Sequence, residues 1–334
     1  MALIPVLQAV ARAARLDVIA RAANRKRLLI ITYHGIREDA SPARSWLLLP
    51  VSEFARQMEF LHANYDVVSI DDALTTETSA RPRACITFDD GYRNNLDLAL
   101  PILQGLRLPA TIYLPTAFID TSHVLWTTLL DLGLPKASPS ARAQIAELLL
   151  LPHDPSTATF VHGASDALKA VGPREREYLL KKIFAVIPAP TPEETRPHAF
   201  MTWSEVHRME TTGLISIGAH TAHHEIVRNL DDVSLQDELR SSVEEVAKRC
   251  TRPSRTFAYP NGRAIDFDER SGDILASLGC IAAVSTIEGL NDASTPPFAL
   301  RRISVGGAMR FAEFRSHVSG LDSQARRLVR NGVR

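Results

Sequence analysis

The feature that most restricts the fold of this chain is a recurring unit. A short apolar run ends in a polar turn, and a stretch of helical periodicity follows. Leu28–Tyr33 (LLIITY) ends in His34-Gly35, Ala84–Phe88 (ACITF) in Asp89-Asp90-Gly91, and Ala110–Leu114 (ATIYL) in Pro115. Leu214–Gly218 leads into His220, Arg255–Tyr259 stops at Pro260-Asn261-Gly262, and Ile281–Ser285 and Leu300–Val305 close the series. Asp66–Ile70 (DVVSI) adds one more short strand. Apolar, β-branched runs bounded by turn residues predict buried strands. Between them, Ser52 is expected to cap a helix with Phe54, Met58 and Leu61 on one face. A helix from Asn95 to Leu106 should kink at Pro101. Thr202-Trp203-Ser204-Glu205 has the form of a capping box. Leu235, Leu239, Val243 and Val246 mark one helix face, and Gly279 should stop a helix over Asp268–Leu278. Strands alternating with helices imply a parallel sheet under covering helices, either a closed barrel or an open doubly wound sheet. No G-x-G-x-x-G or G-x-x-x-x-G-K-[ST] run follows a strand, which argues against a nucleotide site.

The rhythm breaks at about 120–200, a Leu-rich helical stretch (ARAQIAELLLL, REREYLLKKIFAVI) closed by PAPTPEETRP. It reads as a helical insertion or lid. The ends differ from the body in charge. Residues 1–27 hold six basic side chains against Asp17, a net of +5, and the last fourteen residues add +3. With 38 basic and 38 acidic residues in total, residues 28–320 carry −8. The chain as a whole has no positive field, which disfavours a nucleic-acid partner. Arg12, Arg15, Asp17 and Arg21 interrupt any signal-like apolar run, and no segment reaches the roughly 18 apolar residues of a membrane span. The expectation is a cytoplasmic chain whose basic N-terminus is either an ordinary solvated helix packed on the body or a segment that touches the anionic inner face of a membrane.

Chemistry-bearing residues collect at the strand ends, where parallel barrels keep their active sites. Asp89 and Asp90 precede Gly91, and adjacent strand residues point to opposite sides, so one carboxylate can bind a metal while its neighbour faces elsewhere in the pocket. His220 and His224 stand four apart in GAHTAHH, a spacing that aligns two imidazoles on one helical turn, with His223 the competing partner. Two imidazoles plus one carboxylate form a facial set with open positions. The three cysteines, Cys85, Cys250 and Cys280, form no C-x-x-C pair, so a thiolate site is excluded.

ITFDDG (86–91), GAHTAHH (218–224) and FAYPNG (257–262) resemble, in order and spacing, the first three motifs of the polysaccharide deacetylases, carbohydrate esterase family 4. The resemblance spans roughly 28–305 and is closest to the bacterial exopolysaccharide-type deacetylases. It implies a distorted (β/α)7 barrel over 28–320, with the helical insertion at about 120–200, a basic helical segment at 1–27 and a basic tail at 321–334. It also implies metal-dependent removal of N-acetyl groups from the amino sugars of a polysaccharide, oligosaccharide or lipid-linked glycan. On that pattern Asp90, His220 and His224 hold one divalent ion, with zinc favoured and cobalt, nickel or iron also suited. Asp89 is the general base, and the backbone N–H of Asn261 serves the oxyanion, with Tyr259 as second choice.

Two positions depart from the pattern. Ala258 stands where an Arg usually orients the base, and ALRRISV lacks the His expected of the last motif. Arg301 or Arg302 is a candidate replacement for the Arg. His34, in a Tyr-His-Gly context, is the candidate acid for the leaving amine. Trp126 is expected to stack on sugar, whereas Trp203, inside a helix cap, is expected to pack. His123, His153, His162, His198, His207 and His317 show no metal spacing and read as surface or locally bonded residues. The rival readings are a deformylase or other amidohydrolase of a lipid-linked amino sugar, and a catalytically weak carbohydrate-binding protein.

Overall fold

The computed structural model describes residues 16–321, except 42, 44, 77–78 and 153–156. The expectations for residues 1–15, the tail 322–334 and His153 lie outside the described residues. In chain order the strands are β1 (Leu28–Tyr33), β2 (Gly35–Arg37), β3 (Leu48–Pro50), β4 (Asp66–Val67), β5 (Arg83–Phe88), β6 (Ala110–Leu114), β7 (Ile215–Ala219), β8 (Pro253–Ala258), β9 (Ala282–Glu288) and β10 (Leu300–Ser304). The helices are α1 (Leu16–Ala23), α2 (Val51–Asn64), α3 (Ile70–Thr75), α4 (Leu100–Leu106), α5 (Trp126–Gly133), α6 (Pro139–Leu148), α7 (Thr157–Lys169), α8 (Pro173–Phe184), α9 (Pro192–Thr195), α10 (Trp203–Glu210), α11 (Asp232–Arg249), α12 (Glu269–Ser277) and α13 (Phe311–Val318).

Seven parallel strands run β1-β10-β9-β8-β7-β6-β5, and β5 pairs back onto β1 through six residue pairs from Leu28–Arg83 to Tyr33–Phe88. The ring is therefore closed, a distorted (β/α)7 barrel, and the open-sheet alternative is excluded. The distortion lies in register shifts between β7 and β8 and between β9 and β10. Strand alternation separates two apolar layers. Leu29, Ile31 and Tyr33 of β1 pack outward with Phe54, Met58 and Leu61 of α2. Leu28 and Ile30 face the interior with Cys85, Tyr113, Ala258, Val284 and Leu300, and Ile70 and Ala73 of α3 join this cluster. Toward the C-terminal ends of the strands the buried interior side chains become polar: Thr32, Thr87, Asp89, His220 and Arg302.

Between β6 and β7, helices α5–α8 hold a core of their own, built on Leu130, Leu134, Ile145, Phe160, Leu168 and Ile183. Among the described residues no helix is long and apolar enough to cross a membrane.

Several local expectations need correction. Ser52 does not cap α2, which starts at Pro50-Val51; the Asp39 carboxylate instead accepts from Ser52 N and Oγ. Asp66–Ile70 is a strand only over Asp66–Val67, because Ser69 accepts from Asp72 N and starts α3 at Ile70. The strand expected at Arg255–Tyr259 runs Pro253–Ala258. The helix from Asn95 begins as a π-turn over Asn95–Ala99 before α4, so Pro101 falls in the first turn of a new α-segment, where its missing N–H is tolerated. The Thr202 capping box is present, and Gly279 ends its helix at φ 87°.

Gly218 of β7 lies against Tyr113. A Cβ there would stand 2.4 Å from the Tyr113 ring and 3.0 Å from the Thr256 carbonyl oxygen. The Tyr113 hydroxyl is bonded to Thr256 Oγ1 at 2.7 Å, so the ring is not free to swing away. Gly218→Ala is expected to cost about 1–3 kcal/mol by overpacking, measurable as a lower urea midpoint.

Candidate active site

The loops after β5, β7 and β8 carry the site, and each contains a non-glycine residue at positive φ: Asp90 at 71°, Thr221 at 58°, His224 at 56° and Asn261 at 60°. Such backbones cost energy and persist only where surrounding contacts fix them. The β7 loop shows how. Thr221 Oγ1 accepts from Glu225 N, while Glu238 of α11 accepts from Ala222 N, His223 N and His223 Nδ1. His223 is thereby tied to Glu238. His220 and His224 do converge, but through this loop and not on the helical turn their spacing suggests.

His224 Nε2 lies 3.3 Å and His220 Nε2 3.6 Å from Asp90 Oδ1, and the three ligand atoms lie within 4.8 Å of one another. Asp90 Oδ1 is buried with no hydrogen-bond partner. His220 Nδ1 meets the Ala258 carbonyl at 2.7 Å; a proton on Nδ1 leaves Nε2 free as a ligand. Burial pushes His220 down to about 4, which keeps the imidazole neutral. Burial opposes ionisation of Asp90, but the neighbouring His224, with His34 and His220, holds it below the usual carboxylate range. Two converging imidazoles and an unpartnered carboxylate oxygen fit a divalent cation.

Asp89 takes the other direction that strand alternation offers and points into the barrel. There Arg302 grips it with both arms, Nη1 to Oδ1 and Nη2 to Oδ2, each at 2.7 Å. Arg302 also donates through Nε to the Ser285 carbonyl and through Nη1 to Thr32 and Thr87 hydroxyls, and it is fully buried. Burial alone would raise Asp89, but Arg302, with His220 and His34, holds it below the ordinary range. Of the two candidate arginines, Arg302 therefore meets Asp89. Arg301, on the opposite face of β10, is exposed and is corrected out of the site.

Above these groups lies a cavity of about 330 Å³, lined by Asp89, Asp90, His220, His224, His34 and Asn261 among others. His34 follows β1, its Nδ1 is buried without a partner, and its ring meets Trp46 edge-on at 5.1 Å. Asn261 spends its side chain on Asp266 and its carbonyl on Thr286, while its backbone N–H has no partner among the described residues. Tyr259 is corrected on both counts. Its N–H is used by Val284 O, and its ring faces outward, stacked on Phe267 at 4.3 Å. Trp126 lines the cavity beneath the Arg176 guanidinium, while Trp203 packs against the core.

Sequence reasoning missed Trp46, 55% exposed at the cavity, and the lid side chains Asp131, His162 and Lys169 that line it. Burial raises Asp131 and lowers Lys169. His198 is also not a surface residue; it is buried against Tyr92 and pushed down to about 4.

Residues 151–283 match the family described as polysaccharide deacetylase, a stretch that holds His220, His224 and Asn261 and leaves Asp89 and Asp90 ahead of it. That stretch is therefore similar to a polysaccharide deacetylase domain. A Bacillus subtilis protein, YxkH, which bears a provisional polysaccharide deacetylase name, is 34% identical over 104 residues, 30% of this chain and 36% of its own length. The match thus spans about a third of that relative. Among solved structures, the Streptococcus pyogenes deacetylase PplD in complex with acetate is similar at a TM-score of 0.58 and 16% identity, covering 87% of this chain and 98% of that one. IcaB from Ammonifex degensii is similar at 0.56 and 13%, covering 88% and 97%. At such identities the two structures speak for the fold alone.

Removing Arg302 would strand a buried carboxylate. Arg302→Met is expected to destabilise the domain by about 3–5 kcal/mol, and Asp89→Val added to it should restore much of the loss, both read from urea unfolding. Zinc is expected to raise the thermal midpoint of the wild type by linkage. It should leave the midpoint of His220→Ala with His224→Ala unmoved.

Proposed function

We propose that this chain hydrolyses the N-acetyl groups of amino sugars in a polysaccharide or oligosaccharide, using one divalent cation, zinc by preference, held by Asp90, His220 and His224. The observation that carries this reading is the bidentate Arg302–Asp89 pair beside that ligand set. A site that only bound sugar would have no use for a carboxylate kept ionised at such desolvation cost.

When bound, the cation polarises the amide carbonyl and acidifies a water. Asp89 accepts the proton of the attacking water, and Arg302 keeps Asp89 ionised and aimed. The Asn261 N–H supplies a donor for the oxyanion. His34, across the cavity, protonates the leaving amine and so replaces the histidine that the ALRRISV strand lacks. Trp46 and Trp126 offer faces for sugar rings. The cavity is at the small end of ligand pockets, which supports a chain end or short segment of glycan as substrate.

Acetate release from N-acetylglucosamine oligomers by the zinc-loaded protein tests the proposal. Asp89→Asn and His34→Ala are each expected to lower kcat by about 10²–10⁴; undiminished release in Asp89→Asn would remove its role, and formate in place of acetate would move the reading to N-formyl sugars. Asp89 works ionised, and its pKa is held down by Arg302. Arg302→Met should therefore shift the acid limb of kcat/KM toward neutral pH, and an unmoved limb would count against the pair.

A further inference from the structure

Helix α1 is amphipathic but mounted inside out. Its polar side chains face the protein. Asp17, 4% exposed, pairs with Arg315 at 3.0 Å, the Arg21 guanidinium lies over Phe60 at 5.5 Å, and just past the helix Asn24 donates to the Ser319 carbonyl. Apart from the buried Ala20, the apolar side chains face out: Leu16 at 37%, Val18 at 42% and Ile19 at 62% exposure, with Ala22 and Ala23 also exposed. Leaving such a face in water is costly.

What lies next to it is basic. Arg25 and Lys26 follow the helix directly. Both line a cleft of about 920 Å³ together with Arg81, Arg83 and Arg255, against the carboxylate of Asp292. The fifteen residues preceding α1 contain Arg12 and Arg15 and no acid. An apolar helix face flanked by cations is the pattern of a segment lying in the headgroup region of an anionic bilayer.

We propose that α1 and the adjoining basic cleft seat this chain on an anionic phospholipid surface. The apolar face enters the acyl boundary, and Arg25, Lys26 and Arg81 meet lipid phosphates. The surface is separate from the cavity, so it stands whether or not the hydrolysis proposed above is correct.

Flotation of the full chain with vesicles of phosphatidylcholine, with and without phosphatidylglycerol, tests this. The wild type should float with the anionic vesicles, and less so as salt is raised. V18D/I19D should reduce the bound fraction about tenfold or more, and Arg25→Ser or Lys26→Ser about fivefold each. None of the three variants should alter acetate release or the unfolding transition, since these side chains are exposed and do not line the active-site cavity. Absence of flotation, or equal flotation of wild type and V18D/I19D, overturns the proposal. A wild-type dimer in sedimentation equilibrium that V18D/I19D dissolves assigns the face to a second copy and also overturns it. So does faster tryptic cleavage at Arg12 and Arg15 in V18D/I19D without vesicle binding, which assigns the face to the chain's own first residues.

Discussion

One buried guanidinium holds this barrel and its chemistry together. Arg302 of β10 reaches Thr32 on β1, Thr87 on β5, Ser285 on β9 and Asp89 beyond β5, and so ties four neighbouring strands across the point where the sheet closes. β1 and β10 share the register pairs Ile31–Ile303 and Thr32–Ser304, fewer than the six that join β1 to β5, and the guanidinium bridges this shorter contact. Taking both charges out of water is expensive, and that cost is offset only when every remaining donor finds an acceptor. Here Nε and Nη1 find acceptors beyond the carboxylate, and the interaction that bridges these strands also fixes the orientation and ionisation of Asp89.

The same constraint explains the Ala at 258. A small barrel leaves an interior just wide enough for side chains to fill it. Ala258 and Arg302 both face that interior, and both are fully buried. A guanidinium arriving from β10 occupies the space that one from β8 would need, so the residue on β8 must be small. Ala258 keeps a task through its backbone, since its carbonyl fixes the His220 ring. The contact to Asp89 that the resemblance expects from position 258 on β8 is made here by Arg302 of β10.

The parts of this arrangement legible in the sequence are those set by local period. Strand alternation separated the core faces, and the strand-end clusters marked which end of the barrel holds the cavity. What was not legible depended on contacts distant in sequence. Nothing near His220 announces that Glu238, on the following helix, fixes the loop and holds His223. Strand parity puts Arg301 and Arg302 on opposite faces, but with Leu300 and Ile303 flanking them it does not say which face is inside. Tyr259 was misplaced by one step of the same parity, because Ala258 is the inward residue of its pair. Trp46 and Lys169 reach the cavity only through the β1–β3 crossing and the lid, and neither carries a spacing signal.

The cavity and the proposed lipid-facing helix lie at opposite ends of the barrel. The cavity opens at the C-terminal ends of the strands, whereas α1 leads through Arg25-Lys26-Arg27 into the N-terminal end of β1. A six-residue strand spans about 20 Å, and the apolar cluster of Leu28, Ile30, Cys85 and Ile70 fills the interior between the two ends. A chain seated on a bilayer through α1 therefore presents its cavity to the aqueous side. That geometry sits poorly with an amino sugar anchored to a lipid of the same leaflet, whose headgroup would lie at the far end of the barrel. It agrees with a glycan that reaches the cavity from solution, so the orientation of α1 bears on the substrate as well as on where the protein resides.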